Sequence, residues 1–283
     1  MVAASMELIK ALRERTGVGL TKCKEALEAS GNDIEEAVVC LRKMGLASAG
    51  KKESRETKEG YVAFKIGDQG AALIEVNVET DFVATNAKFR EFAENLANEL
   101  LKSSPADVSD FLLLPFSGDT SLTLDEYKAV FMQSLGENIR VRRILKVEKE
   151  KPNVSLGVYS HSDGRSISLV VLEGSANAGQ LAKDIALHIV ACKPDYLDES
   201  AVPEQIIQRE RDVAMTQIQG KPQAVIDKIL AGKMKTFFEE SCLLCQAYVK
   251  DGTKTIAQLL EDFAKDQGET VSINQFICWK VGE

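Results

Sequence analysis

The stretch IEVNVETDFVA, residues 74–84, contains the change of pattern from which the fold can be worked out. Apolar and polar residues first alternate with a period of two, which indicates a strand whose polar face, with Glu75 and Asn77, meets water. Thr80 then offers a hydroxyl and Asp81 a carboxylate, and a short helical turn can begin at either. Phe82 is therefore expected on a strand-to-helix corner, where its ring either packs into the core or projects outward. The general rule that large apolar side chains are buried favours packing into the core.

The length and charge of the chain restrict the classes of function. Its 283 residues are enough for about two domains with separate cores. A formal net charge of −8 argues against nucleic acid as the main partner. The densest basic clusters, residues 51–52 and 140–143, are flanked by acidic residues, so we interpret them as solvated faces or protein contacts.

The lack of a targeting signal and the spacing of the cysteines favour a cytoplasmic protein. Residues 1–7 lack the charged and apolar regions of a signal peptide, and no apolar run of about 18 residues follows. We therefore expect a soluble protein without a membrane partner. The six cysteines show no disulfide-framework spacing. Cys242 and Cys245 form a lone CxxC with no second pair and no nearby histidine, which predicts neither a redox centre nor a zinc site.

The spacing of apolar residues in the segment 5–44 predicts three short helices. Asn32 and Glu35 resemble a capping box for the third helix, and Gly45 is expected to end it. A bundle of this size leaves too little apolar surface to build a pocket, and such bundles commonly serve as docking units. The small and charged residues 47–59 have almost nothing to bury and predict a flexible linker.

An internal repeat follows. Each copy has the order strand, glycine-containing turn, strand, loop and helix. The segments are 61–66, 67–70, 71–78 and 87–101 in the first copy, and 156–161, 162–165, 166–172 and 178–191 in the second. This order predicts two related subdomains, each with a helix on one face of an antiparallel sheet. The predicted inner face of the first helix contains Phe89, Phe92, Leu96 and Leu100.

The remaining segments predict further helices and strands. Residues 105–118 are apolar but irregular and receive no assignment, and a helix at 124–135 precedes a strand whose apolar face Arg143 interrupts. Pro203 opens a helical hairpin with a turn at 219–222. Its predicted facing residues are Ile207, Ala214 and Ile218 on one helix and Val225, Ile229 and Phe237 on the other. A last helix and strand end the chain.

Together these patterns predict an α+β protein with an N-terminal three-helix bundle, a core of two repeated sheet-and-helix subdomains, and an inserted helical hairpin. The predicted parts are a docking domain (1–46), a linker (47–59), core subdomain 1 (60–150), core subdomain 2 (151–200), the hairpin insertion (201–240) and a C-terminal segment that completes the core (241–283).

The sequence offers little material for an active site, which needs a nucleophile, a base and oxyanion donors, or a metal-ligand set. We expect no catalytic residue, metal or cofactor. His188 lies in an apolar helix and is interpreted as a packing residue, and His161 lies at a hairpin turn that it is expected to cap. No GxGxxG follows a strand and no GxxxxGK[ST] occurs, so the chain should bind no nucleotide itself.

Residues 79–84, followed by Asn-Ala-Lys-Phe at 86–89, resemble the signature of translation elongation factor Ts of bacteria and organelles. In that family the Asp and Phe of Thr-Asp-Phe-Val enter the GTP-binding domain of elongation factor Tu and disturb its magnesium and nucleotide site. The resemblance implies a guanine nucleotide exchange factor rather than an enzyme. The residues that bind the partner and dislocate magnesium are then Thr80, Asp81, Phe82 and Val83.

Other segments carry the same resemblance. Residues 13–20 resemble the opening of the family's N-terminal ubiquitin-associated-like domain, and Arg13 and Leu20 match its positions that contact the partner. Many relatives have two methionines where Leu20-Thr21 stands. Tyr159-Ser160-His161 resembles the family's Tyr-x-His, so His161 is implied to contact the partner near its nucleotide site. Residues 136–139 and 219–222 also resemble the corresponding segments of the family. In the family, the second of these segments is the turn of a coiled-coil-like arm. Some relatives continue into a further helix after the position of Glu283, so that contact is expected to be absent.

Two other functions compete with nucleotide exchange: a ubiquitin-binding-like adaptor, suggested by the N-terminal bundle, and an unrecognised hydrolase. The adaptor does not explain the repeated core or the Thr-Asp-Phe-Val corner. A pull-down from bacterial lysate separates these functions, because an exchange factor should retain one abundant GTPase. Whether two copies pair, as a homodimer or in a 2:2 complex, is left open by the sequence.

The absence of a phosphate-binding loop generates a first prediction. The isolated protein is expected to bind neither GDP nor GTP, because no glycine-rich turn supplies backbone N–H groups for the phosphates. Isothermal titration calorimetry with each nucleotide, in the presence of magnesium, should give no binding heat. Micromolar binding of GDP to the purified chain would contradict this prediction.

Overall fold

A computed structural model gives the fold for residues 3–161, 163–216, 218 and 222–283. The chain forms two compact units. The first comprises Met1–Glu148, Asp163–Arg165 and Lys280–Glu283, and the second comprises Lys149–Ser162 and Ser166–Trp279. Both combine helices with strands, which confirms the predicted α+β class. The finer division into six parts stays a prediction.

Runs of one to three helices are followed by runs of one to three strands along the chain. In chain order they are α1 (Met6–Thr16), α2 (Leu20–Ala29), α3 (Ile34–Lys52), β1 (Glu59–Gly67), β2 (Gly70–Val78), α4 (Asp81–Ala84), α5 (Ala87–Lys102), α6 (Val108–Leu113), β3 (Pro115–Phe116), β4 (Asp119–Thr123), α7 (Leu124–Leu135), β5 (Ile139–Glu148), β6 (Val154–Ser160), β7 (Ser166–Glu173), α8 (Gly179–Cys192), α9 (Glu204–Thr216), α10 (Gln223–Ser241), β8 (Ala247–Tyr248), β9 (Asp251–Thr255), α11 (Ile256–Gln267) and β10 (Ser272–Lys280). Two 3₁₀ turns, Glu199–Ala201 and Leu243–Cys245, precede α9 and β8.

Helices α1, α2 and α3 form the predicted bundle around a small core of their own. The predicted capping box at Asn32 and Glu35 is wrong. Asp33 caps α3 instead, because its side chain accepts a hydrogen bond from the backbone N–H of Glu36 at 2.9 Å. Asn32 has a left-handed φ of 68° and belongs to the turn before the cap.

The prediction that the third helix ends at Gly45 is also wrong, since α3 continues through Lys52 and includes residues 47–52 of the predicted linker. Gly45 is buried against α7, and a Cβ atom there would lie 3.4 Å from the carbonyl oxygen of Ala129. The missing side chain lets the two helices approach closely. Ala49 packs against the same core as α7 one turn later, so tertiary packing sustains the helix where composition alone predicted a tether.

The sheet of the first unit has the order β1-β2-β5, with both pairs antiparallel. Helix α5 packs on one face of this sheet. Its predicted inner residues Phe89, Phe92, Leu96 and Leu100 are all buried, at most 1% exposed. This part of the core confirms the helical spacing expected from the sequence.

The prediction that β2 has one wet face is wrong, because every residue of β2 is buried. The Glu75 carboxylate accepts hydrogen bonds from Nε of Arg143 at 2.6 Å and from the backbone N–H of Gly282 at 2.9 Å. The Asn77 amide also donates to it, at 3.2 Å. The pairing with β5 shifts so that Arg142 is an extra residue, which sets Arg143 opposite Glu75. The arginine that interrupts the apolar pattern is therefore the partner of a buried acid.

The unassigned residues 105–118 form α6 and then β3, which pairs with β4. Thr123 caps α7 in a reciprocal capping box with Glu126. Gly136 ends α7 with a left-handed φ of 83°, a conformation that glycine adopts without strain. The chain then enters β5, so the end of α7 and the start of β5 are joined by one short turn.

The second unit has a sheet of order β10-β7-β6, in which β6 and β7 are antiparallel. Helix α8 follows the hairpin, as in the first unit, and its apolar side packs into a core with residues of β7. Helix α11 and strand β10 match the last helix and strand predicted from the sequence. Each predicted strand–strand–helix segment therefore has a counterpart in the structure.

Helices α9 and α10 match the two arms of the predicted hairpin, whose turn at residues 219–221 lies outside the described residues. Ala214 and Ile218 are buried as predicted. The predicted inner position of Val225 is wrong, because its side chain is 42% exposed. The other predicted facing residues, Ile207, Ile229 and Phe237, are half-buried. Met234 is the best-buried apolar residue of α10.

The buried Glu75 supplies a stability prediction. Replacing it (Glu75→Ala) leaves Arg143 and the Gly282 N–H without this acceptor, so the free energy of unfolding should fall by about 3 kcal/mol. Equilibrium urea unfolding measures the change. Glu56→Ala is the control, since its ion pair with Lys58 is solvent-exposed and should contribute less than about 1 kcal/mol. Equal stability of the two variants would contradict the prediction.

Candidate functional site

The corner at the end of β2 is built as a capped single turn. Thr80 has extended backbone angles and caps α4, since its hydroxyl oxygen accepts a hydrogen bond from the backbone N–H of Val83 at 3.4 Å. At the other end, the Thr85 hydroxyl donates to the carbonyl oxygens of Asp81 and Phe82 at 3.0 and 3.1 Å. Both ends of this four-residue helix are therefore satisfied by side chains.

Phe82 projects outward from the corner, with 83% of its surface exposed. Ala84 is buried, and Val83 packs against the core of the first unit. These two residues occupy the inward side of the single turn, which leaves Phe82 and Asp81 on the outward side. The general burial rule favoured a packed ring, so it is wrong at this position, and the ring projects as the family resemblance implies. An aromatic ring this exposed gains nothing for its own core.

Two carboxylates hold the base of the corner. Glu137 accepts hydrogen bonds from the backbone N–H of Thr80 at 3.0 Å and from the Thr80 hydroxyl at 2.6 Å. In the opposite direction, Glu79 accepts a hydrogen bond from the backbone N–H of Asn138 at 2.6 Å. These four residues, Glu79, Thr80, Glu137 and Asn138, are referred to as the carboxylate clasp. Its donors and acceptors join the end of β2 to the turn between α7 and β5.

The clasp continues toward the N-terminal bundle. The Asn138 amide donates to the carbonyl oxygen of Arg55 at 2.9 Å, and the guanidinium of Arg55 lies 3.3 Å from the Glu79 carboxylate. Asn138 itself is buried. The segment that follows α3 is therefore fastened to the same point as the corner.

The clasp residues Glu79, Glu137 and Asn138 were not among the predicted site residues. A signal for the last two was available, because residues 136–139 resemble the corresponding family segment. Their role needed the pairing of β2 with β5, which ends with Val78 opposite Ile139 and so brings the two turns together.

Arg13 and Leu20 lie on either side of one loop of the N-terminal bundle. Arg13 is exposed near the end of α1, and its carbonyl oxygen accepts the N–H of Gly17 at 2.8 Å. Leu20 is the first residue of α2 and is 39% exposed. Both side chains are accessible from solvent, and their contact with a partner stays a prediction.

His161 lies at the end of β6 in the second unit and is exposed. Its backbone N–H donates to the carbonyl oxygen of Ser166 at 2.9 Å, which helps to close the hairpin. Its ring nitrogen Nδ1 lies 3.5 Å from the Tyr159 hydroxyl. Thr80–Val83 form one cluster, whereas Arg13, Leu20 and His161 lie on other elements.

His188 is fully buried, as expected of a packing residue. Its Nδ1 accepts from the backbone N–H of Val249 at 3.2 Å, so Nε2 carries the proton and donates to the Gln246 side chain at 3.0 Å. Burial lowers the pKa of this imidazole, which favours the neutral form. Both ring nitrogens make hydrogen bonds inside the protein, and neither is available as a general base.

The CxxC cysteines are free thiols, Cys242 buried and Cys245 half-buried. Burial raises the pKa of both thiols, which favours the protonated and unreactive form. Within the described residues, no group of three or more His, Cys, Asp or Glu side chains could hold a metal ion. In the same part of the chain, no helix is long and apolar enough to cross a membrane.

The site is thus an outward-facing aromatic corner held by side-chain hydrogen bonds rather than a cleft that encloses a small molecule. Exposed aromatic side chains on a fixed scaffold are typical anchors of protein–protein interfaces. The fold and the site therefore have the features of a protein that binds another protein.

Comparison with known proteins gives the family. The family model described as "Elongation factor TS" matches residues 79–283. Elongation factor Ts of Chlamydia pneumoniae is 55% identical over 278 residues, which is 98% of each chain. Those of Chlamydia caviae and Chlamydia muridarum are 52% and 51% identical over the same share. The chain belongs to the elongation factor Ts family.

The exposure of Phe82 generates a stability prediction. Phe82→Ala should change the free energy of unfolding by less than about 0.5 kcal/mol, because its ring leaves no cavity when it is removed. Phe92→Ala is the matched control, since the Phe92 ring is 1% exposed and its loss should cost about 3 to 5 kcal/mol. Both can be measured by urea unfolding. A loss at Phe82 as large as that at Phe92 would mean that Phe82 belongs to the core.

Proposed function

We propose that this protein is a guanine nucleotide exchange factor for elongation factor Tu in translation elongation. In this proposal the corner Thr80–Val83 inserts near the magnesium and nucleotide site of the GTPase and promotes release of GDP. Membership of the elongation factor Ts family supports the partner and the role. The observation that carries the proposal is the 83% exposure of Phe82 on a doubly capped corner.

The proposed roles of the site residues follow from their positions. Asp81 and Phe82 face outward and act on the partner, while Thr80 and Val83 fix the turn that presents them. Arg13 and Leu20 on the bundle, and His161 on the second unit, provide further contacts with the GTPase. The chain itself performs no covalent chemistry and needs no cofactor. Nucleic acid and membranes are not partners in this proposal, and translation elongation takes place in the cytoplasm.

The proposed exchange mechanism has a thermodynamic requirement. A protein that promotes nucleotide release must bind the nucleotide-free GTPase more tightly than the nucleotide-bound form, because a ligand shifts an equilibrium only by its differential affinity. Reciprocity follows: if the exchange factor weakens GDP binding by some factor, GDP weakens binding of the exchange factor by the same factor. Magnesium should strengthen this antagonism if the corner disturbs the metal site.

The test uses release of fluorescent GDP from elongation factor Tu. Wild-type protein should accelerate release, and saturating Mg-GDP should dissociate the pair. The double variant Asp81→Ala, Phe82→Ala should lose about 2 kcal/mol of this coupling, roughly a thirtyfold loss of acceleration, as expected for an interface hot spot. Leu113→Ala is the matched control, since Leu113 is another apolar side chain that is 72% exposed, and it should behave as wild type.

Two results would contradict the proposal. Wild-type protein that binds the GTPase equally well with and without Mg-GDP would act as a passive adaptor. Acceleration of GDP release that survives in the double variant would separate the function from the corner.

A further inference from the structure

We infer that Glu137 is a positioning residue for the corner: its carboxylate holds Thr80 so that α4 presents Asp81 and Phe82 in a fixed orientation. This inference rests on the proposed function and adds a residue to the exchange machinery that does not itself belong to the exposed tip. Glu137 is half-buried behind the corner, whereas Asp81 and Phe82 are exposed. The contacts that link it to the corner are its two hydrogen bonds to Thr80.

The corner needs such support because α4 is a single turn. A helix of four residues cannot hold itself by its own hydrogen bonds, since nucleation is unfavourable and each end leaves backbone groups unpaired. Its backbone contacts within the turn are Ala84 N–H to the Thr80 carbonyl at 3.1 Å and Thr85 N–H to the Asp81 carbonyl at 3.0 Å. The position of Thr80 thus decides the position of the whole turn.

The two hydrogen bonds from Thr80 to Glu137 have different effects. The bond from the backbone N–H fixes the chain at the point where β2 ends. The bond from the hydroxyl, at 2.6 Å, uses its only proton, so the oxygen lone pairs remain to accept from the N–H of Val83. Because the acceptor is a carboxylate, both bonds belong to the stronger class of hydrogen bonds. Loss of Glu137 removes the tether and frees the capping hydroxyl to rotate.

The position of Glu137 is itself fixed. It follows Gly136, which ends α7 in a left-handed conformation, and it precedes Asn138, whose N–H is bound by Glu79. The two acidic side chains therefore make reciprocal contacts. Glu137 accepts a hydrogen bond from the backbone N–H of Thr80, which follows Glu79, and Glu79 accepts one from the backbone N–H of Asn138, which follows Glu137. This reciprocity continues the pairing of β2 with β5 beyond its last residue pair, Val78 and Ile139.

The test compares Glu137→Ala and Glu137→Gln with wild type in fluorescent GDP release from elongation factor Tu, as a function of exchange-factor concentration. Glu137→Ala should lower the maximal release rate about tenfold, the effect of losing two hydrogen bonds at the corner. The half-saturating concentration should change less than about twofold, because the other contacts with the partner are intact. Glu137→Gln keeps an acceptor for the Thr80 N–H, so its rate should fall only about threefold.

A second readout follows the free protein. Amide hydrogen exchange at Val83 and Ala84 should be faster in Glu137→Ala than in wild type, because both amides depend on the position of Thr80. The control is Glu99→Ala. Glu99 accepts hydrogen bonds from the backbone N–H of Ser117 at 3.3 Å and from the Ser117 hydroxyl, the same pair of contacts at the far end of α5. This variant should lose thermal stability but retain the wild-type maximal rate.

The outcomes separate this inference from the proposed function. Wild-type protein that does not accelerate GDP release would overturn the proposed function, and the inference with it. Wild-type acceleration with an unchanged maximal rate in Glu137→Ala would overturn the inference alone. An equal loss of rate in Glu99→Ala would also overturn it, since the loss would then reflect general destabilisation. If Glu137→Ala does not fold, the rate of Glu137→Gln decides, and a wild-type value would contradict the inference.

Discussion

Strand β2 has to be buried on both faces, and the geometry of the corner depends on how this is achieved. On one face, apolar side chains pack under α5. On the other, Glu75 is enclosed, its charge is balanced by Arg143, and it also accepts a hydrogen bond from the N–H of Gly282. A buried carboxylate without such partners would be strongly destabilising. The strand is therefore held rigidly along its length, and the turn that follows it begins from a fixed point.

An exposed aromatic ring is useful to a binding partner only if its position is set before binding, because ordering it during association consumes binding free energy. The carboxylate clasp provides this at the end of β2. It satisfies two backbone N–H groups in a region where the strands separate, and it leaves Phe82 outside every contact of the core. The same arrangement explains how a polar network and an exposed apolar side chain occur within a few residues of each other.

The sequence predicted those features that local patterns determine. The boundaries of α7, the inner face of α5 and the two hairpins follow from periodicity and turn residues, and the structure confirms them. Errors arose where distant residues decide the outcome. Glu75 was placed on a wet face because its partners, Arg143 and Gly282, lie far away in the chain. Gly45 was expected to end α3 because its packing against Ala129 cannot be seen in the local sequence.

For the candidate site too, the features set by local sequence were predicted, and those set by distant contacts were not. Thr80 and Asp81 were both expected as possible starts of the turn, and Thr80 is the cap. Phe82 was expected on a corner, but the general burial rule favoured a packed ring, because the direction of the ring depends on which neighbours reach the core. Glu137 was missed because its contact with Thr80 exists only through the pairing of β2 with β5.

The most direct measurement of the central claim is photo-crosslinking from a benzoylphenylalanine placed at position 82. We expect a crosslink to the GTP-binding domain of nucleotide-free elongation factor Tu that Mg-GDP suppresses. A complex that forms without a crosslink there, or one that Mg-GDP leaves unchanged, would contradict the account.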